Sequence, residues 1–221
     1  MVDKIEYKVM CGIFGSNNIE EFRKLCEKNT ERGNFVRSVT YLFPQGLQSN
    51  TLVKTKHELD FTKPIAENPF CIYYLGHVQS PTSRVREFKQ ETSHPFTVND
   101  RYLAHNGVLE NDRELVDEMK LENYNDVDSS IILPLMEKVG FKQALEMLQG
   151  IFSCWYYDTK TGSLRIFRSG STLHYNEGNF TSAAIPAYKY IDEGVVLEYN
   201  FTSNRFKEVD KFKLNSTPFF L

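Results

Sequence analysis

What this chain has little of narrows it first. It contains no run of about eighteen apolar residues, so no segment reads as a membrane-spanning helix. Cysteine occurs four times in 221 residues, at Cys11, Cys26, Cys71 and Cys154. That is too sparse and scattered for a disulfide scaffold and fits a reducing compartment. Lys+Arg number 26 against 29 Asp+Glu, a formal net charge of −3 with no block of one sign. A nucleic-acid partner gripped through its phosphates is therefore not expected. The opening MVDKIEYKVM alternates charge and has no apolar core, which excludes a secretory signal and leads us to expect a cytoplasmic protein. His57, His77, His94, His105 and His174 lack the short spacing and Cys neighbours of a zinc site, so no metal is expected. Arg168-Ser169-Gly170-Ser171 follows a strand-like run but lacks the lysine and glycine spacing of a phosphate loop, and no cofactor is expected.

What is present is ordinary globular material, with 41% hydrophobic and 14% aromatic residues and no repeat or linker to divide it. We read residues 1–10 as a leader and 11–221 as one domain. Apolar, β-branched and aromatic runs predict strands near 9–15, 35–43, 71–77, 101–105, 151–157 and 163–168, with a weaker one near 194–201. Helical spacing appears over 19–30 (Phe22, Leu25, Cys26), 112–120 (Leu115, Val116, Met119), 129–139 and 141–149. Asn111 followed by Glu114 suggests a capping box for the second helix, and Gly150 a stop for the fourth. Strands and helices do not alternate regularly, which favours α+β over a doubly wound parallel sheet. Aromatics concentrated in strands fit two sheets packed face to face.

Four clusters carry possible chemistry. In Met10-Cys11-Gly12-Ile13-Phe14-Gly15, a chain beginning at Cys11 would hold a thiol and a free α-amine in one residue, nucleophile and base together. The amine titrates near about 7.7–8.0, so its neutral form is at hand near neutrality. The plainer reading is a small buried hydrophobe. In Leu103-Ala104-His105-Asn106-Gly107, a strand ends in a turn where an Asn side chain and a Gly backbone N–H can donate to an oxyanion, although Asn-Gly is also a common turn. Gly76-His77-Val78-Gln79-Ser80-Pro81-Thr82 is another strand exit whose polar groups suit a small polar substrate or simply end the strand. Asp128, in Val127-Asp128-Ser129-Ser130, reads equally as an anchor for an ammonium group and as a helix cap.

Taken in order, MCGIFG, Glu31-Arg32-Gly33-Asn34, GHVQSPT, Ser93-His94-Pro95-Phe96, LAHNGVLEN, VDSS, Leu148-Gln149-Gly150-Ile151-Phe152 and FRSGSTL resemble the glutaminase domain of class II glutamine amidotransferases, within the N-terminal nucleophile hydrolases. The likeness runs from Met10 to about Leu197. It implies a four-layer αββα sandwich of two antiparallel sheets and hydrolysis of glutamine to glutamate and ammonia. By the same resemblance Cys11 is the nucleophile, forming a γ-glutamyl thioester with its own α-amine as base. Asn106 and Gly107 form the oxyanion hole, Thr82 and Asp128 hold the backbone end of glutamine, and Arg32 supports the active-site loop.

Two departures stand out. The strand-exit motif carries Gln79 where the family usually has an Arg that clamps the substrate carboxylate, so glutamine loses a charge-assisted fork unless Arg84 or Arg86 compensates. Ten residues precede Cys11, and an amide-linked nitrogen is not basic, so the leader must be removed or translation must begin at Met10. The 221 residues leave no room for a synthase domain, so we expect a stand-alone glutaminase subunit that supplies ammonia to a separate synthetase or transferase. An amidohydrolase for another amide and a non-catalytic module of the same fold are the alternatives.

Overall fold

The computed structural model describes residues 11–44, 46–53, 65–80, 89–122 and 125–215. In chain order the elements are β1 (Gly12–Ser16), α1 (Ile19–Thr30), β2 (Val36–Phe43), β3 (Gly46–Val53), β4 (Tyr73–Gln79), β5 (Phe96–Val98), β6 (Arg101–Leu109), α2 (Asp112–Met119), α3 (Ile132–Val139), α4 (Phe141–Met147), β7 (Gly150–Asp158), β8 (Ser163–Ser169), β9 (His174–Asn176), β10 (Asn179–Thr181), β11 (Lys189–Tyr190), β12 (Val195–Asn200) and β13 (Arg205–Lys211). One sheet has seven strands in the order β11-β9-β10-β1-β4-β2-β3, the other six in the order β13-β12-β8-β7-β6-β5. Neighbouring strands within each sheet run antiparallel. Among the described residues no helix is long and apolar enough to cross a membrane.

The layers follow from side-chain alternation along the strands. In β7, Phe152, Cys154 and Tyr156 pack with Leu115, Ile132, Leu135 and Leu145 of the helices, while Trp155 and Tyr157 face the other sheet. In β1, Phe14 packs against Phe22 and Leu25 of α1, while Ile13 joins the layer between the sheets. Apolar material therefore lies in three slabs, helix on sheet, sheet on sheet and sheet on helix, which is the αββα sandwich expected from the sequence. Trp155 Nε1 donates to Gly76 O at 3.1 Å across the central slab, tying the two sheets together.

Several local expectations are corrected. The His105-Asn106-Gly107 segment is not a turn after a strand. It lies inside β6, whose register with β7 continues to Leu109↔Gly150. Gly107 permits this: its φ is +151°, and a Cβ there would sit 1.9 Å from Ile151 O. The Asn111 side chain makes no cap bond. Its Nδ2 donates to Met147 O at 2.9 Å and its Oδ1 accepts from Gln149 N at 2.9 Å, so it ties α2 to the segment after α4. The expected helix over 129–139 is a 3-10 turn at Asp128–Ile131 followed by α3. The fourth helix ends at Met147, followed by the extended Leu148, and Gly150 opens β7 instead of closing the helix.

Candidate active site

Cys11 stands one residue before β1, at the mouth of the central slab. Its thiol donates to Ser80 O at 3.7 Å, just past the end of β4. Arg32 Nε donates to Cys11 O at 3.1 Å. Burial lowers the Arg32 guanidinium from its ordinary value, with the charge of Cys11 acting in the opposite direction. The Arg32-Gly33 turn is pressed against β4, where a Cβ on Gly33 would lie 2.7 Å from Gln79 C, and Phe35 N donates to Gln79 O at 3.0 Å. Cys11, Arg32 and Gln79-Ser80 are thus assembled from three segments into one corner. Gln79 is buried, and its Oε1 has no partner among the described residues.

Asn106 belongs to the facing sheet. Parity turns it inward with Ala104, which packs in the central slab. Its Nδ2 lies 3.0 Å from Ser153 Oγ, 3.0 Å from Ser171 Oγ and 3.2 Å from Ser182 Oγ, while its Oδ1 is buried without a partner among the described residues. Ser182 Oγ also accepts from Ile13 N at 3.0 Å, and Ser182 N donates to Ile13 O at 2.8 Å. A single serine therefore links the Asn106 carboxamide to the strand that follows Cys11.

Behind Asn106, parity reverses and His105 faces the helices. Its Nδ1 is 2.7 Å from Ser129 Oγ, which in turn meets Asp128 Oδ1 at 3.2 Å. Asp128 Oδ1 also accepts from Ser129 N at 2.8 Å, and its Oδ2 from Leu109 N at 2.9 Å. The carboxylate is fastened to the end of β6, two residues beyond Gly107, and does not cap a helix in the manner of a free N-terminal acceptor. Burial holds the His105 imidazole below its ordinary value of 6.5, against the pull of Asp128. His77 Nε2 is 3.2 Å from His105 O, and the His77 and His94 rings lie against one another with centroids 4.0 Å apart and planes tilted by 33°. Among the described residues no cluster suited to a metal ion is found.

Of the residues singled out from the sequence, Cys11, Arg32 and Gln79 share the corner, Asn106 and Gly107 sit on β6 of the facing sheet, and Asp128 is bonded to the end of that strand. Thr82, Arg84 and Arg86 lie outside the described residues. The sequence reading missed the partners of Asn106. Ser171 lies within FRSGSTL and was within reach of the motif, whereas Ser153 and Ser182 stand in runs with no local signal. Arg168, in the same FRSGSTL stretch, is buried and donates to Ile191 O at 2.5 Å and Ser171 O at 2.8 Å.

Residues 84–182 match the family described as Glutamine amidotransferase domain. The 7-cyano-7-deazaguanine synthase of Saccharolobus solfataricus is 33% identical over 99 residues, 42% of this chain and 21% of that protein. Among solved structures, the glutamine phosphoribosylpyrophosphate amidotransferase from B. subtilis, complexed with ADP and GMP, superposes with a TM-score of 0.69 at 17% identity over 93% of this chain and 50% of that one. A glutamine aminotransferase class-II domain protein from Silicibacter pomeroyi superposes with a TM-score of 0.60 at 13% identity over 92% of this chain and 100% of that one. At such identities these likenesses establish the sandwich fold. The chain spans 50% of the first of these structures and 21% of the curated relative.

Proposed function

With residues 84–182 matching a glutamine amidotransferase domain, on the sandwich shared with class II enzymes, we propose that this chain hydrolyses glutamine through Cys11 and passes the ammonia to a separate synthetase or transferase. The observation that supports this most is the convergence of Cys11, Arg32 and Ser80 at one corner, joined through Ile13 and Ser182 to Asn106. The Cys11 sulfur attacks the side-chain carbonyl carbon, the C–N bond breaks, and ammonia leaves as a γ-glutamyl thioester forms. Water then cleaves the thioester to glutamate and restores the thiol. The α-amine of Cys11, once N-terminal, takes the thiol proton and returns it to the leaving nitrogen. Asn106 Nδ2 and Gly107 N–H donate to the oxyanion. Asp128 and Thr82 receive the backbone end of the substrate, and Arg32 fixes the Cys11 carbonyl.

The test is intact mass, ammonia release and covalent labelling on natively expressed protein. We expect Cys11 at the mature terminus, glutamate and ammonia in equal amounts, and 6-diazo-5-oxo-norleucine attached to Cys11. Ammonia release that rises when a co-purifying synthetase is added supports delivery in trans, and strong partner-free turnover counts against it. Retention of MVDKIEYKVM on functional material, or no labelling, overturns the hydrolase reading in favour of a non-catalytic module. Gln79 favours one second reading, an amidohydrolase for amides without an α-carboxylate. A panel of simple acyl amides hydrolysed faster than glutamine would establish it.

A further inference from the structure

The three serines around Asn106 come from separate parts of the chain: Ser153 in β7, Ser171 after β8 and Ser182 after β10. We propose that Ser171 and Ser182, with Ser153 behind them, are positioning residues that set which end of the Asn106 carboxamide faces the substrate. The inference rests on the glutaminase reading above and concerns how its oxyanion donor is prepared.

The argument is a count of protons and lone pairs. As the carboxamide stands, Nδ2 meets three hydroxyl oxygens at 3.0, 3.0 and 3.2 Å, yet an amide nitrogen has two protons to give. Oδ1, meanwhile, is buried without a partner among the described residues. Ser182 Oγ already accepts from Ile13 N, so it still has its own proton to donate. Ser153 Oγ has two acceptors for its proton, Asn106 O and Ser171 Oγ, each at 3.3 Å. A half-turn of the carboxamide exchanges two ends of nearly equal size about a bond with a broad torsional preference. Oδ1 then accepts from Ser171 and Ser182, and the Ser153 proton goes to Ser171 Oγ or Asn106 O. Nδ2, with both protons, moves to the side where Oδ1 lay, free to donate to an oxyanion. Hydroxyl protons rotate to suit either arrangement, so the serines form an adjustable support on a rigid mounting.

The mounting is visible. Ser171 O accepts from Arg168 Nη1 at 2.8 Å and Ser171 N donates to Ser169 O at 2.7 Å. Ser182 is bonded to Ile13 through both its backbone N–H and its Oγ, two residues from the nucleophile. The same side chain thus fixes the spacing between sulfur and oxyanion donor.

The experiment compares Ser171→Ala, Ser182→Ala and Ser182→Thr, each alone and combined with Asn106→Ala, by kcat and KM for glutamine and by labelling with 6-diazo-5-oxo-norleucine. Because Ser182→Ala also strips an acceptor from Ile13, Ser171→Ala is the variant that leaves β1 untouched. Each alanine variant is expected to lower kcat by about tenfold or more, up to the roughly 10²–10³-fold loss of a whole donor, with KM held within about twofold. Ser182→Thr, which keeps the hydroxyl, restores kcat, and Cys11 labels fully in all variants. In the Asn106→Ala background the serine changes should leave kcat within about twofold, because they act through a group already gone. Wild-type kcat in Ser171→Ala and Ser182→Ala, or an undiminished fall in the Asn106→Ala background, overturns the proposal while the glutaminase reading stands. A wild-type protein inert to both glutamine and the label overturns both.

Discussion

The layer between the two sheets has two ends built from the same strands and opposite in character. At one end Tyr73, Leu75, Trp155, Phe180 and Tyr199 fill the space between the sheets. At the other, at most four residues further along the same inward-facing rows, stand His77, Gln79, Asn106 and Ser153, all buried. The apolar end gains from every side chain removed from water. The polar end forgoes that gain and is tolerated because most of its groups bond one another. Gln79 Oε1 and Asn106 Oδ1 are buried there without a partner among the described residues.

Perturbing each end should separate these roles. The largest effect belongs to Cys11→Ser, which should abolish ammonia release with unfolding unchanged, because a hydroxyl is a far weaker nucleophile than a thiolate. Trp155→Ala should do the reverse in kind. Emptying the fully buried Trp155 position should cost about 3–5 kcal/mol in denaturant unfolding, and loss of activity should follow loss of fold. Asn106→Ala should lower kcat by about 10²–10³ while KM moves little, and full activity in that variant removes its oxyanion role. Gln79→Arg should lower the KM for glutamine by about tenfold, the worth of one charge-assisted bond to the substrate carboxylate. An unchanged KM would mean the pocket is not a weakened glutamine site.

The smallest effect is a pH dependence of stability. Burial depresses His105 from its ordinary value of 6.5, so below that value the unfolded chain binds a proton that the folded one refuses. Stability contributed by neutral His105 is therefore complete above 6.5 and falls as pH drops beneath it, by at most about 1.4 kcal/mol per pH unit. His105→Asn should flatten its share of that slope in pH-dependent unfolding. The share of His174, also lowered by burial, should remain.

Much of this was readable along the chain. The strong strands β1, β2, β4, β7 and β8 announced themselves through dense apolar and aromatic runs. The missed ones had little such signal: β3 (Gly46–Val53) is interrupted by the polar run Gln48-Ser49-Asn50-Thr51, β5, β9, β10 and β11 are two or three residues long, and β13 (Arg205–Lys211) carries charge on both faces at a sheet edge. Cys11, Arg32, Gln79, Asn106 and Asp128 stood out as candidates because each lies in a short distinctive stretch. Asn111 was misread because a side chain that fits a helix cap fits the carbonyl of Met147 equally well, and only packing chooses between them.

By itself the sequence determined the α+β class and most of the longer elements, because alternation and spacing act over a few residues and are written locally, while the four-layer sandwich was an expectation carried by the family resemblance. The tertiary structure decided how the candidate groups are held. Ser153, Ser171 and Ser182 lie 47, 65 and 76 residues from Asn106, and only the closing of two sheets brings their hydroxyls to one carboxamide. Hydrogen-bond partners at that separation are fixed by the packing of whole layers, and no local pattern encodes them.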